Sequence, residues 1–95
     1  MDEQQMPYRR QIFVCTNDAK GEKASCGDHK GEDVFRQLRE IAKTKKLHPI
    51  VRVAQAKCLG QCAQGVNIMI YPENIWFNHV RTEDVEAIAA QFIQP

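Results

Sequence analysis

The chain has 95 residues, of which 43% are hydrophobic and 26% are charged, and its formal net charge is +1. This length allows one domain with a modest core, and the composition is that of a globular protein rather than a disordered one. The near-neutral charge argues against binding to nucleic acid or to an anionic membrane surface, which usually requires a basic stripe. We therefore predict a single domain over residues 1–95, with only residues 1–8 loosely held.

The first half of the chain predicts a strand, a loop and a helix. The stretch RQIFVC at 10–15 is rich in β-branched and aromatic residues, which favours a strand. Residues 16–30 contain two glycines and many small polar residues, which is typical of a loop. From about Glu32 to Lys46 apolar residues recur at helical spacing, and His48-Pro49 is expected to end that helix. The predicted buried stripe of the helix consists of Val34, Phe35, Leu38, Ile41 and Ala42.

The second half predicts three strands and a second helix. IVRVAQA at 50–56 is a strand, and VNIMIY at 66–71 and IWFNHV at 75–80 are the two arms of a hairpin. Residues 72–74, Pro-Glu-Asn, suit the turn because proline presets one backbone angle and asparagine tolerates a left-handed conformation. Thr82 is predicted to cap the last helix. The predicted buried face of that helix consists of Val85, Ile88, Ala89 and Phe92.

The order of these elements predicts the fold. A right-handed β-α-β unit gives two parallel strands, and the β-β-α unit that follows adds an antiparallel hairpin and a helix. Helices are then expected to cover the faces of the sheet. We predict an α/β fold of the thioredoxin-like type, with a four-stranded mixed sheet flanked by helices.

Four cysteines are the unusual feature of the composition. They are Cys15, Cys26, Cys58 and Cys62, with ten, 31 and three residues between neighbours. The N-terminal stretch is polar and no apolar run approaches the roughly 20 residues of a membrane span, so neither a signal peptide nor membrane insertion is predicted. A cytoplasmic or otherwise reducing compartment is expected. Cysteines in such a compartment more often bind metal or perform redox chemistry than form disulfides.

The predicted fold brings these cysteines towards one another. Cys15 ends the first strand and Cys26 lies late in the loop after it, whereas Cys58 and Cys62 lie in the loop after the second strand. If these two strands are parallel neighbours, their carboxyl ends share one edge of the sheet, and the two loops can meet there. Four thiols would then converge near the surface.

The spacing of the cysteines leaves several kinds of site open. Four thiolates suit either zinc or an iron–sulfur cluster, and ten residues between the first pair is long for a zinc knuckle. A zinc-stabilised interaction module therefore remains an alternative. A thiol–disulfide oxidoreductase is another, although such enzymes usually place C-x-x-C at the start of the first helix.

Four stretches of the chain resemble the thioredoxin-like 2Fe–2S ferredoxins. They are IFVC at 12–15, SCGDHKGEDVF at 25–35, KCLGQCAQGV at 57–66 and MIYPENIWFNHVRTEDVEAI at 69–88. The resemblance implies a one-electron carrier, not an enzyme, with one 2Fe–2S cluster per chain held by Cys15, Cys26, Cys58 and Cys62. It also implies a homodimeric cytoplasmic protein that exchanges electrons with redox partner proteins.

Two further features of the sequence concern the third and fourth predicted strands. Val66 stands where these ferredoxins commonly have a proline after glycine, so the resemblance does not imply the family's backbone geometry at the start of the third strand, and no ligand is removed. Trp76 and Phe77 are neighbours on a predicted strand and therefore face opposite sides of the sheet. At most one of them is expected in the core, and the other is available to a dimer face.

Overall fold

The structure, a computed structural model, describes residues 1–16, 31–56 and 66–94. In chain order the elements are β1 (Arg10–Cys15), α1 (Gly31–Thr44), β2 (Val51–Ala56), β3 (Val66–Tyr71), β4 (Ile75–Val80) and α2 (Val85–Phe92). This order confirms the predicted succession of β-α-β and β-β-α units. Residues 17–30 and 57–65, on which the two loop predictions fall, lie outside the described residues.

The four strands form one mixed sheet in the order β2-β1-β3-β4. Strand β1 pairs in parallel with β2, and Cys15 lies opposite Ala56 in that register. On its other side β1 pairs antiparallel with β3, where Val14 lies opposite Ile68, and β3 pairs antiparallel with β4. The parallel pairing of the first two strands is therefore confirmed, and their carboxyl ends lie at the same edge of the sheet.

Both helices pack on the same face of this sheet. The buried core contains Ile12, Val14, Val51, Val53, Ile68 and Ile70 from alternate positions of the strands, and Val34, Phe35, Leu38, Ala42, Val85, Ile88, Ala89 and Phe92 from the helices. The two predicted buried helix faces are thus confirmed, with Ile41 partly buried against the same core. Within the described ranges, helices cover one face of the sheet rather than both.

Helix α1 ends two residues earlier than the sequence predicts. The amide of Lys46 donates to the carbonyl of Lys43 at 2.9 Å, and the amide of Leu47 donates to the carbonyl of Ala42 at 2.9 Å. Lys46 adopts a left-handed backbone with φ of 59°. These features form a Schellman motif, so the helix ends before the chain reaches His48-Pro49.

The prediction that Thr82 caps the last helix is wrong. A 3₁₀ turn over Thr82–Asp84 precedes α2, and the extended residue before that turn is Arg81. The amide of Arg81 donates to Oδ2 of Asp84 at 2.9 Å, so the carboxylate three residues further on binds the start of the turn. The hydroxyl of Thr82 instead lies 3.3 Å from Oε1 of Glu83.

Adjacent aromatic residues of β4 lie on opposite faces, as the alternation of a strand requires. The ring of Phe77 packs edge-to-face against Phe92, with centroids 5.9 Å apart and planes at 65°. Trp76 is 41% exposed and shares the other face with Tyr71, which is 38% exposed. Only one of the two neighbours therefore packs against the core, as predicted.

Arg10 joins three distant parts of the chain. Its Nε and Nη2 donate to Oε2 of Glu73, in the β3–β4 turn, at 2.7 and 2.5 Å. Its Nη1 donates to the carbonyl of Phe92 at 2.5 Å, and its guanidinium carbon lies 5.6 Å from the centre of the Phe92 ring. The hydrogen bond from Arg10 is the main cause that lowers the pKa of the Glu73 carboxyl below its ordinary value of 4.5.

Neither of the two helices in the described ranges has the length and apolar character needed to cross a bilayer.

Candidate metal centre

The described part of the candidate centre is Cys15, at the carboxyl end of β1. Its side chain is fully buried. It lies opposite Ala56 of β2, and the next amide, that of Thr16, donates to the carbonyl of Ala56 at 2.8 Å. Both parallel strands therefore end side by side at Cys15. Cys58 follows Ala56 by only two residues in the sequence.

The other three predicted ligands, Cys26, Cys58 and Cys62, lie outside the described residues. The structure thus brings the two strand ends together as predicted, whereas the convergence of four thiols stays a prediction. Over 1–16, 31–56 and 66–94 no group of three histidine, cysteine or acidic side chains is placed to hold a metal ion. Three of the four predicted ligands belong to the segments that follow β1 and β2 in the sequence.

The surroundings of Cys15 suit a thiolate ligand. Strand β1 is flanked by β2 on one side and β3 on the other, so its backbone is hydrogen-bonded along both edges. A ligand on such a strand is held in nearly fixed geometry. The sulfur is also shielded from water, and limited solvent access is one of the properties that tune a metal site. A soft sulfur donor in this position is a better ligand for zinc or an iron–sulfur cluster than for a hard cation.

Sequence reasoning missed one unusual residue of β3, namely Asn67. It is fully buried and is the only buried polar or charged residue among the described ones. Its Oδ1 accepts a hydrogen bond of 3.3 Å from the indole Nε1 of Trp76. The signal in the sequence was a single polar residue in the otherwise apolar strand VNIMIY. The pattern could have shown that Asn67 was unusual, but not which neighbours it would have.

A β-bulge in β4 lies opposite Asn67. Val66 pairs with Val80 and Ile68 pairs with Phe77, so the single residue between them on β3 opposes two residues of β4. The second of these, His79, has a left-handed backbone with φ of 53°. Bulges of this type re-aim side chains and are frequent next to functional sites.

No protein-family model matches the chain. The chain is 30% identical over 88 residues to a 2Fe-2S ferredoxin of Clostridium pasteurianum, covering 90% of this chain and 86% of that protein. It is 25% identical over 88 residues to a 2Fe-2S ferredoxin of Aquifex aeolicus, covering 90% of this chain and 79% of the relative.

Comparison with solved structures also finds similarity to 2Fe-2S ferredoxins. The structure is similar to that of the thioredoxin-like [2Fe-2S] ferredoxin from Aquifex aeolicus, with a TM-score of 0.82 at 25% identity over 90% of this chain and 80% of the other. A crystal structure of the wild-type thioredoxin-like [2Fe-2S] ferredoxin from the same organism gives a TM-score of 0.81 at 25% identity, covering 88% of this chain and 84% of the other. The thioredoxin-like fold predicted from the order of elements is confirmed.

Proposed function

Because the chain belongs to the family of thioredoxin-like 2Fe–2S ferredoxins, we propose that it is a one-electron carrier and not an enzyme. We propose further that each chain binds one 2Fe–2S cluster. The observation that carries this proposal is the similarity over 90% of the chain to a 2Fe-2S ferredoxin, together with the position of Cys15 where two parallel strands end.

We propose that the four ligands are Cys15, Cys26, Cys58 and Cys62. When bound, a 2Fe–2S cluster supplies a centre that takes up and releases a single electron. Cys15 would contribute a thiolate from the end of β1, where its side chain is buried from water. The remaining three cysteines would complete the set from the two segments that leave the same edge. This donor set is the one that such clusters use, and it needs no residue from a partner chain.

The rigidity of β1 supports electron transfer. Since β1 is paired on both sides, the ligand at its end cannot shift far when the charge of the centre changes. A small rearrangement on reduction favours rapid exchange of electrons with partner proteins. We propose that donor and acceptor proteins dock at this edge of the sheet, and that the protein acts in the cytoplasm.

We propose that two copies form a homodimer through the face of the sheet opposite α1 and α2. Tyr71 and Trp76 are exposed there, and Phe13 and Met69 lie half-buried on the same face. The register places Met69 opposite Trp76 and opposite Phe13, so these side chains form a continuous apolar surface. Aromatic residues are enriched in such interfaces.

The test is the composition and colour of anaerobically purified protein. Iron, zinc and acid-labile sulfide are measured on one sample, whose visible spectrum is recorded before and after dithionite. Two irons and two sulfides per chain, with absorbance that bleaches on reduction, are expected. The Cys15→Ser variant should lose or alter this spectrum, whereas substitution of the exposed Gln37 by alanine should not. One zinc per chain without sulfide would refute the proposal.

A further inference from the structure

The burial of the polar Asn67 side chain requires a physical explanation. A polar amide in an apolar environment costs free energy unless its donors and acceptors are hydrogen-bonded. Asn67 is fully buried, and its neighbours along β3 are the apolar Val66 and Ile68. Because buried amides are normally hydrogen-bonded, the N–H donors of Asn67 are expected to have a specific partner.

The contact with Trp76 fixes the orientation of the amide. An indole N–H can only donate, so the atom of Asn67 that faces Trp76 at 3.3 Å is the carbonyl oxygen. The two N–H donors of the amide are then directed away from the Trp76 indole. Trp76 lies on β4, whereas β1 borders the other side of β3.

The register between β1 and β3 points to Cys15 as the neighbour of Asn67. Val14 and Ile68 form the last pair of the antiparallel β1–β3 register. Continuing this register by one step sets Cys15 of β1 across from Asn67 of β3, on the opposite face of the sheet. Residues in such a position have Cβ atoms about 4.5–5.5 Å apart, within reach of a side-chain hydrogen bond. Both side chains are fully buried, so water does not compete for the contact.

We propose that the side-chain amide of Asn67 donates an N–H hydrogen bond to Sγ of Cys15 and thereby raises the reduction potential of the bound cluster. This inference rests on the proposed function. Reduction adds one electron, supplied by dithionite in the test, and part of the added negative charge falls on the thiolate sulfurs. An N–H donor stabilises the reduced state more than the oxidised state, because the reduced state carries the greater negative charge. Asn67 is thus a positioning residue and not a ligand.

The experiment compares two matched substitutions in the cluster-loaded protein. Asn67→Leu keeps the branched shape but removes the donors, and Asn78→Leu makes the same change at an exposed position of β4. Redox titration of Asn67→Leu should show about a tenfold smaller equilibrium constant for reduction, a potential about 59 mV lower for one electron. Asn78→Leu should retain the wild-type potential. Equal potentials for both variants would overturn the inference.

The outcomes separate this inference from the proposed function. Wild-type protein without iron and sulfide would refute both, whereas a loaded wild type with an unchanged Asn67→Leu potential would refute only the hydrogen bond. If Asn67→Leu does not hold the cluster, Asn67→Val replaces it. In either case, NMR of the wild type should show the Asn67 side-chain amide protons shifted by the paramagnetic centre and protected from exchange. Shifts and exchange like those of Asn78 would overturn the inference.

Discussion

Replacing Glu73 by glutamine is expected to lower the free energy of unfolding by about 1–2 kcal/mol at neutral pH. Glu73 accepts two hydrogen bonds from Arg10, at 2.7 and 2.5 Å, and the two side chains are only 27% and 19% exposed. Hydrogen bonds to charged groups contribute about 1.5–3 kcal/mol, but partial exposure screens this pair. Glutamine keeps one acceptor oxygen, so the loss is smaller than the whole interaction.

The pH dependence of this effect has a defined sign. The folded state lowers the pKa of Glu73 below 4.5, mainly through the hydrogen bond from Arg10, so the folded state binds this proton less readily than the unfolded state. The stabilisation is therefore complete above the unfolded pKa and is lost as the pH falls through 4.5 towards the folded pKa. The difference between wild type and the Glu73→Gln variant should shrink progressively below about pH 5.

Urea denaturation of both proteins between pH 8 and pH 4 measures this difference. Taking the difference at each pH cancels the effects of acid that the two proteins share. Glu40→Gln on α1 is the matched control, because Glu40 is exposed and forms no ion pair within the described ranges. The reasoning would be refuted if the difference in free energy of unfolding between wild type and Glu73→Gln stayed constant down to pH 4. It would also be refuted if Glu40→Gln lowered the free energy of unfolding as much as Glu73→Gln does.

Three more predictions concern the core, the end of α1 and the proposed dimer face. Leu38→Ala should lower the free energy of unfolding by about 2–5 kcal/mol, because Leu38 is fully buried, whereas Ile50→Ala, at a 53% exposed position, should cost less than about 0.5 kcal/mol by the same denaturation. Lys46→Gly should stabilise the protein by about 0.5–1 kcal/mol because φ there is 59°, and equal or lower stability would contradict the Schellman end. Trp76→Glu should shift the sedimentation mass from dimer to monomer without loss of the visible spectrum, whereas Gln37→Glu on α1 should leave a dimer.

The strands and helices could be predicted from sequence because their patterns were strong. The parallel pairing of β1 and β2 followed from the β-α-β order, and the turn between β3 and β4 followed from Pro72 and Asn74, where Asn74 has φ of 59°. The end of α1 could not be predicted, because a lysine in the sequence gives no indication that its backbone is left-handed. The start of α2 was misplaced because Thr82 and Asp84 are both residue types that favour a helix N-cap. The 3₁₀ turn over Thr82–Asp84 makes Asp84 the residue that precedes α2, and the sequence does not reveal this turn.

The candidate site could be predicted in part. The placement of Cys15 at the end of β1, beside the end of β2, depends only on strand order, which local sequence patterns reveal. The burial of Asn67 depends on its register against β1 and on the bulge opposite it in β4, which are tertiary properties. No periodicity within β3 distinguishes an asparagine that faces water from one that is buried.

The bulge in β4 has a consequence for how copies of the protein can associate. Strand β4 is an edge strand of the sheet. A regular edge strand offers a row of unpaired amide and carbonyl groups with which a strand of another chain can pair. At Asn78 and His79 this row is interrupted, and the left-handed His79 bends the strand and increases its twist. A second copy that approaches β4 edge to edge finds no continuous row to pair with. Growth of the sheet into fibres by strand addition is therefore disfavoured on this side, and association through side chains is favoured.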